Sequence, residues 1–205
     1  MKNHEINALP DWYAPLQADL TAMAEELTAS LTGWQGSETV ITPEDCGYTG
    51  GPATAALQMA IDKATENVQQ GGGPFGAVIV RDGEVLAVDG NSVVPDNDPT
   101  AHAEVNAIRH ACRDLKTFNL AGCTLYASCE PCPMCLSSAY WAGVSRLCFA
   151  ATRDDAAEAG FSDAFIYDQL DLPVDQRSIP CHTFMRDEAQ QSFVAWNEKT
   201  DKTEY

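Results

Sequence analysis

The sequence has little positive charge. Lys and Arg number 12 against 30 Asp and Glu, giving a formal net charge of −18 over 205 residues. Most nucleic-acid affinity comes from Lys and Arg neutralising phosphates, so a chain this anionic is expected to repel a phosphate backbone. No clustered run of basic residues offsets that. The acid excess reads as a solvated surface, and no nucleic-acid partner is expected. Long apolar runs are also missing. None approaches the roughly 20 residues that a membrane-spanning helix needs, so no membrane partner is expected. Behind Lys2 there is no apolar segment of the kind that drives secretion, so no export signal is expected. Cysteine is too sparse for a disulfide scaffold: eight residues are about 4% of the chain, where such scaffolds carry roughly 8–10%. In a chain without an export signal, the crowding of Cys129, Cys132 and Cys135 points instead to metal or redox chemistry in a reducing cytoplasm.

What is present fits one globular domain with an extension. Hydrophobic residues make up 45% and charged residues 20%, which excludes disorder as the overall state. Over residues 9–31, Leu9, Trp12, Leu16, Leu20, Met23, Leu27 and Leu31 recur at steps of three and four, one face of an amphipathic helix. Residues 32–52 gather glycine and proline and read as a linker. The division expected is an extension, 1–52, and a domain, 53–205.

Within that domain the pattern alternates. A helix is expected from Ala53 to Gln70, ending at Gly71-Gly72-Gly73. Those glycines read as a helix stop and turn rather than a phosphate cradle, because Pro74-Phe75 and a strand follow. Phe75–Val80 and Glu84–Val88 are short apolar runs around Arg81-Asp82-Gly83, a hairpin signal. Helices are expected at His102–Leu115, Pro133–Trp141 and near Glu188–Lys199, and strands at Cys123–Ser128 and Arg146–Ala150. Trp141, at a helix end, reads as core. The order α-β-β-α-β-α-β implies an α/β fold with a mixed sheet covered by helices.

The chemistry is concentrated in His102-Ala103-Glu104 and Pro131-Cys132-Pro133-Met134-Cys135. One imidazole and two thiolates make three zinc ligands and leave a fourth position for water, as in catalytic rather than structural zinc sites. Both groups fall at expected helix starts, with Asp98 and Pro99 opening the first and Pro133 the second. Helix dipoles there favour thiolate. A carboxylate at Glu104 can take a proton from a zinc-activated water and pass it to a substrate nitrogen. H-x-E followed by P-C-x-x-C is the pattern of zinc-dependent base deaminases. A rival reading adds Cys129 to make a closed Cys₃His site, which leaves Glu104 without a role.

Residues 53–205 resemble the bacterial guanine deaminases of the zinc-dependent cytidine-deaminase-like family. The resemblance runs through Gly72–Val80, Asn97–Val105, Ser128–Cys135, Asp155–Phe161 and the ending Glu204-Tyr205. It implies a three-layer α-β-α fold and deamination of guanine to xanthine and ammonia by attack of water at C2. It assigns Zn²⁺ to His102, Cys132 and Cys135, and proton transfer to Glu104 and Asp163. Base binding falls to Asn91, Phe75, Ala103 and Tyr205, with a small purine base as substrate. It further implies a cytoplasmic homodimer whose C-terminal segments, from about residue 153, exchange between subunits, so that Asp163 and Tyr205 serve the partner's site. Guanosine, cytosine and tRNA adenosine stay open as substrates, as does a non-catalytic zinc-stabilised module.

Overall fold

A computed structural model describes residues 52–204, nearly all within one compact unit, Ala55–Tyr205. The helix expected over 9–31, the linker up to residue 51 and Tyr205 lie outside the described residues. The elements run α1 (Pro52–Gln69), β1 (Gly73–Arg81), β2 (Glu84–Asn91), α2 (Val93–Asp96), α3 (Ala103–Leu115), β3 (Cys123–Cys129) and α4 (Pro133–Trp141). They continue with β4 (Arg146–Ala151), α5 (Arg153–Glu158), α6 (Ala164–Asp171), a 3-10 turn at Val174–Gln176, and α7 (Arg186–Glu198). The four strands lie in the order β2-β1-β3-β4. β1 is antiparallel to both β2 and β3, whereas β3 and β4 are parallel and joined through α4. The mixed sheet is the one expected from the alternation.

Local chemistry accounts for these elements. Asp82 and Gly83 both take left-handed backbone angles (φ 52 and 82), the twist that closes a two-residue hairpin. β1 then divides the molecule into layers, because successive side chains point to opposite faces. Ala77 and Ile79 join Ala103, Ala107, Ile108 and Ala111 of α3 in the core. Gly76 points the other way, onto α1. There Ala56, Ala60 and Ala64 form a buried stripe of small side chains that lets helix and strand backbones touch. A Cβ at Gly76 would lie 2.2 Å from the Ala60 carbonyl oxygen and 2.7 Å from the Ala64 nitrogen. β3 is buried along nearly its whole length, as a strand covered on both faces must be.

Three details differ from expectation. α3 starts at Ala103, not at Pro99, because the Asp98 carboxylate is engaged locally: Oδ1 accepts from the N–H and the hydroxyl of Thr100 at 2.8 and 2.7 Å. Trp141 is 69% exposed and is not core. The stretch after β4 holds α5 and α6 as well as the tail helix. α5 is fixed by a capping box, in which Thr152 Oγ1 accepts from the Asp155 N–H while Asp155 Oδ2 accepts from the Thr152 N–H. Neither α6 nor α7 buries a side chain, and Phe184 between them is 80% exposed. No helix among the described residues is long and apolar enough to cross a membrane.

The backbone contact at Gly76 is testable. Gly76→Ala should destabilise the fold by about 1–3 kcal/mol, lowering Tm by roughly 2–12 °C at 2–4 °C per kcal/mol. An unchanged Tm in a thermal melt would contradict the close approach of α1.

Candidate active site

Two helix starts meet at the site. His102 is the N-cap of α3 and Cys132 the N-cap of α4, each with extended backbone, and Pro133 occupies the first helical position after Cys132. Neither side chain caps its own helix. Instead the two turn toward each other and toward Cys135, one turn into α4.

The three donors form a nearly regular triangle. His102 Nδ1 lies 3.5 Å from Cys132 Sγ and 3.5 Å from Cys135 Sγ, and the two sulfurs are 3.6 Å apart. A tetrahedral zinc with Zn–S near 2.3 Å and Zn–N near 2.0–2.1 Å sets N···S edges of about 3.5–3.6 Å and S···S edges of about 3.8 Å. The residues fit that ion. Among the described residues, these three are the group of His, Cys, Asp or Glu side chains placed to hold a metal.

Protons are unevenly shared in the triangle. Donation from the Cys135 thiol, helped by His102, holds Cys132 down at about 4 in spite of its burial. Cys135 is pushed the other way by the same hydrogen bond and by burial. His102 is raised above its ordinary value by its bond to Cys132, against the effect of burial. A divalent cation has to displace these protons to bind.

Glu104 stands at the second position of α3, only 7% exposed, with its carboxyl against Cys135. Burial raises its pKa, so it takes up a proton more readily than an ordinary carboxylate. Asn91 closes β2 and is likewise 7% exposed. Its Oδ1 accepts the Val93 N–H at 3.3 Å, which orients the carboxamide and leaves the amide nitrogen and a second acceptor position on Oδ1 as groups it can offer. Phe75 is half-buried and meets Phe161 edge-to-face, ring centroids 5.1 Å apart. Ala103 is wholly buried and belongs to the core cluster.

Asp163 is the N-cap of α6. Its carboxyl is raised by partial burial first and then by the charge of Cys132, against Arg153. It therefore lies within electrostatic reach of Cys132 in its own chain. Cys129 turns away from the triangle: its Sγ donates to the Thr152 carbonyl at 3.4 Å, and burial pushes the thiol up to about 11. The closed Cys₃His reading fails on that placement.

Sequence reasoning did not reach Asn106. Its Nδ2 donates to the Gly90 carbonyl and to Ser92 Oγ, both at 3.0 Å, tying α3 to the end of β2. Asn is a poor helix former, and one inside a helix is the signal that its side chain bonds elsewhere. A cavity of about 530 Å³ lies on the α1 face of the sheet. Ile61, Val68, Phe75, Ala156 and Phe161 are among its lining residues, and none of the three metal donors is.

Loading zinc into the metal-free protein at neutral pH should release protons from the donor triangle, because zinc binds thiolate and neutral imidazole. Calorimetry in buffers of different ionisation enthalpy counts them, and zero release would contradict the triangle described. Cys129→Ser should keep one zinc per chain by elemental analysis.

Residues 52–151 match the cytidine and deoxycytidylate deaminase zinc-binding region. The guanine deaminase of Bacillus subtilis is 51% identical over 150 residues, 73% of this chain and 96% of that protein. The X-ray structure of guanine deaminase from that organism gives a TM-score of 0.73 at 50% identity, covering 74% of this chain and 98% of the other. The tRNA-specific adenosine deaminase of Aquifex aeolicus is 42% identical over 95 residues, 46% of this chain and 63% of that protein. With the zinc-site residues in place and a relative matched over nearly its full length, the chain belongs to the zinc-dependent deaminase family that includes guanine deaminase of Bacillus subtilis.

Proposed function

We propose that this chain hydrolyses guanine to xanthine and ammonia. The observation that carries the reading is a buried carboxyl, Glu104, set against a three-donor metal site on a chain 51% identical to a guanine deaminase. His102, Cys132 and Cys135 would hold a zinc ion, which would supply Lewis-acid activation of water. Glu104 takes a proton from the attacking water and delivers it to N3, so that C2 becomes tetrahedral. The proton remaining on the new C2 hydroxyl is then passed by Glu104 or Asp163 to the exocyclic amine. The C2–N bond then breaks, ammonia leaves and the C2 carbonyl of xanthine remains.

Recognition falls to the surrounding side chains. Asn91, with its Oδ1 engaged by Val93, presents Nδ2 as a donor to an acceptor on the purine edge. Phe75 offers an aromatic face to the base, the main chain at Ala103 borders it, and Tyr205 closes the pocket. A site that spends its donors in this way rejects bases that leave them unpaired. A tRNA substrate is disfavoured by the net charge of −18, which opposes binding of a phosphate backbone.

The deaminase domain spans 53–205, with 1–52 as an extension, and the enzyme works in the cytoplasm as a homodimer with exchanged C-terminal segments. The exchange is supported by α6 and α7, which bury no side chain while Phe165, Ile179, Phe184 and Phe193 stand exposed. Large apolar side chains left exposed in number are what an interaction surface would cover.

Purified, zinc-loaded protein should release ammonia from guanine in preference to guanosine, adenine, cytosine and cytidine; turnover of cytosine alone would refute the assignment. Glu104→Gln should keep its zinc and lose about 10²–10⁴-fold in kcat, and retained turnover would remove it as the proton carrier. Mixing Glu104→Gln chains with chains lacking Tyr205 should restore activity if tails are exchanged, since one hybrid site then has both groups. Absence of rescue in refolded mixtures would argue for tails that stay on their own subunits.

A further inference from the structure

We propose that Asn67, which touches neither the metal donors nor the base, is a positioning residue for purine recognition. It continues the buried stripe of α1 after Ala56, Ala60 and Ala64, and at 8% exposure it is the polar end of an otherwise apolar face. Its Nδ2 donates to the Gly73 carbonyl and to the Asn91 carbonyl, each at 2.7 Å. An amide nitrogen carries two hydrogens, and both are used.

Those two carbonyls sit at the point where the β1–β2 ladder is broken. Gly73 pairs with Asn91, the next pair is Gly76 with Gly90, and Pro74 and Phe75 are looped out between them. Asn67 thus spans the bulge that presents Phe75 on one strand and Asn91 on the other. The glycines around it exist to admit it. A Cβ at Gly72 would lie 2.3 Å from Asn67 Nδ2, and one at Gly90 would lie 2.4 Å from Asn67 Oδ1. Gly73 in turn underlies the Asn91 side chain, since a Cβ there would come within 3.0 Å of Asn91 Oδ1. Fixing Gly73 and the Asn91 main chain together therefore fixes where the Asn91 amide points. The link runs on toward the metal donors: the Ser92 N–H donates to the Ala101 carbonyl at 2.9 Å, one residue before His102.

The inference rests on Asn91 and Phe75 being the base-contacting residues, so the test separates the two. Asn67→Asp keeps the shape but turns an acceptor toward both carbonyls. A displacement of about 1 Å in a recognition group costs about 10²-fold. Asn67→Asp should therefore raise KM for guanine by about that factor, with a smaller change in kcat and one zinc still bound per chain. Combined with Asn91→Ala, it should add less than about twofold to the effect of Asn91→Ala alone, because the two act through one group. Should Asn67→Asp fail to fold, Asn67→Ser, which keeps one donor, is expected to show the same KM shift at smaller size. An unchanged KM in the folded variant, or full additivity with Asn91→Ala, overturns the proposal alone. An unchanged KM in Asn91→Ala overturns the base-contact reading and this proposal with it.

Discussion

Everything in this molecule depends on one crowded contact, in which two thiols and an imidazole are held within 3.6 Å of each other at the starts of two helices. Brought together as anions, the sulfurs would repel, and the hydrogen bond between them lowers Cys132 while raising Cys135. A divalent cation removes the conflict, because it replaces shared protons with a charge that both sulfurs favour. The helix ends contribute in the same sense, since their free N–H groups stabilise negative charge. The donor set therefore explains why neither N-cap residue is a Ser, Thr or Asp: the capping positions are spent on the metal.

The sheet serves that contact. The parallel β3–α4–β4 crossover brings Cys132 and Cys135 to the carboxyl end of β3, and α3 lies across β1 and β2 so that His102 and Glu104 reach the same point. On the neighbouring edge, the broken β1–β2 ladder delivers Asn91 and Phe75. The metal donors thus come from two helix starts and the proposed recognition residues from β1 and β2, with Asn67 tying α1 to both strands and Asn106 tying α3 to the end of β2. The large acid excess plays no part in this geometry; it opposes binding of a phosphate backbone.

Much of this was legible in the residues themselves. The metal donors and Glu104 announce themselves because spacing and residue type carry the chemistry directly. The hairpin at Asp82-Gly83 and the mixed sheet follow from turn chemistry and hydrophobic period. What was not legible depends on three-dimensional placement. Asp98 looked like a helix cap, but its carboxylate found Thr100 two residues away, a competition between local turns that sequence does not decide. Trp141 looked like core because size and hydrophobicity do not say which side of a short helix faces out. Cys129 belongs by spacing to a closed site, and only its turn toward Thr152 removes it. Asn67 and Asn106 join segments distant in the chain, and no local pattern contains both ends.

The coordination of the bound ion tests the central claim most directly. X-ray absorption at the zinc edge on the full-length protein should show two sulfur scatterers near 2.3 Å and two lighter atoms, one from His102 and one from solvent. Three sulfurs in the first shell, or protein that binds no zinc at all, would contradict the open three-donor site on which the account stands.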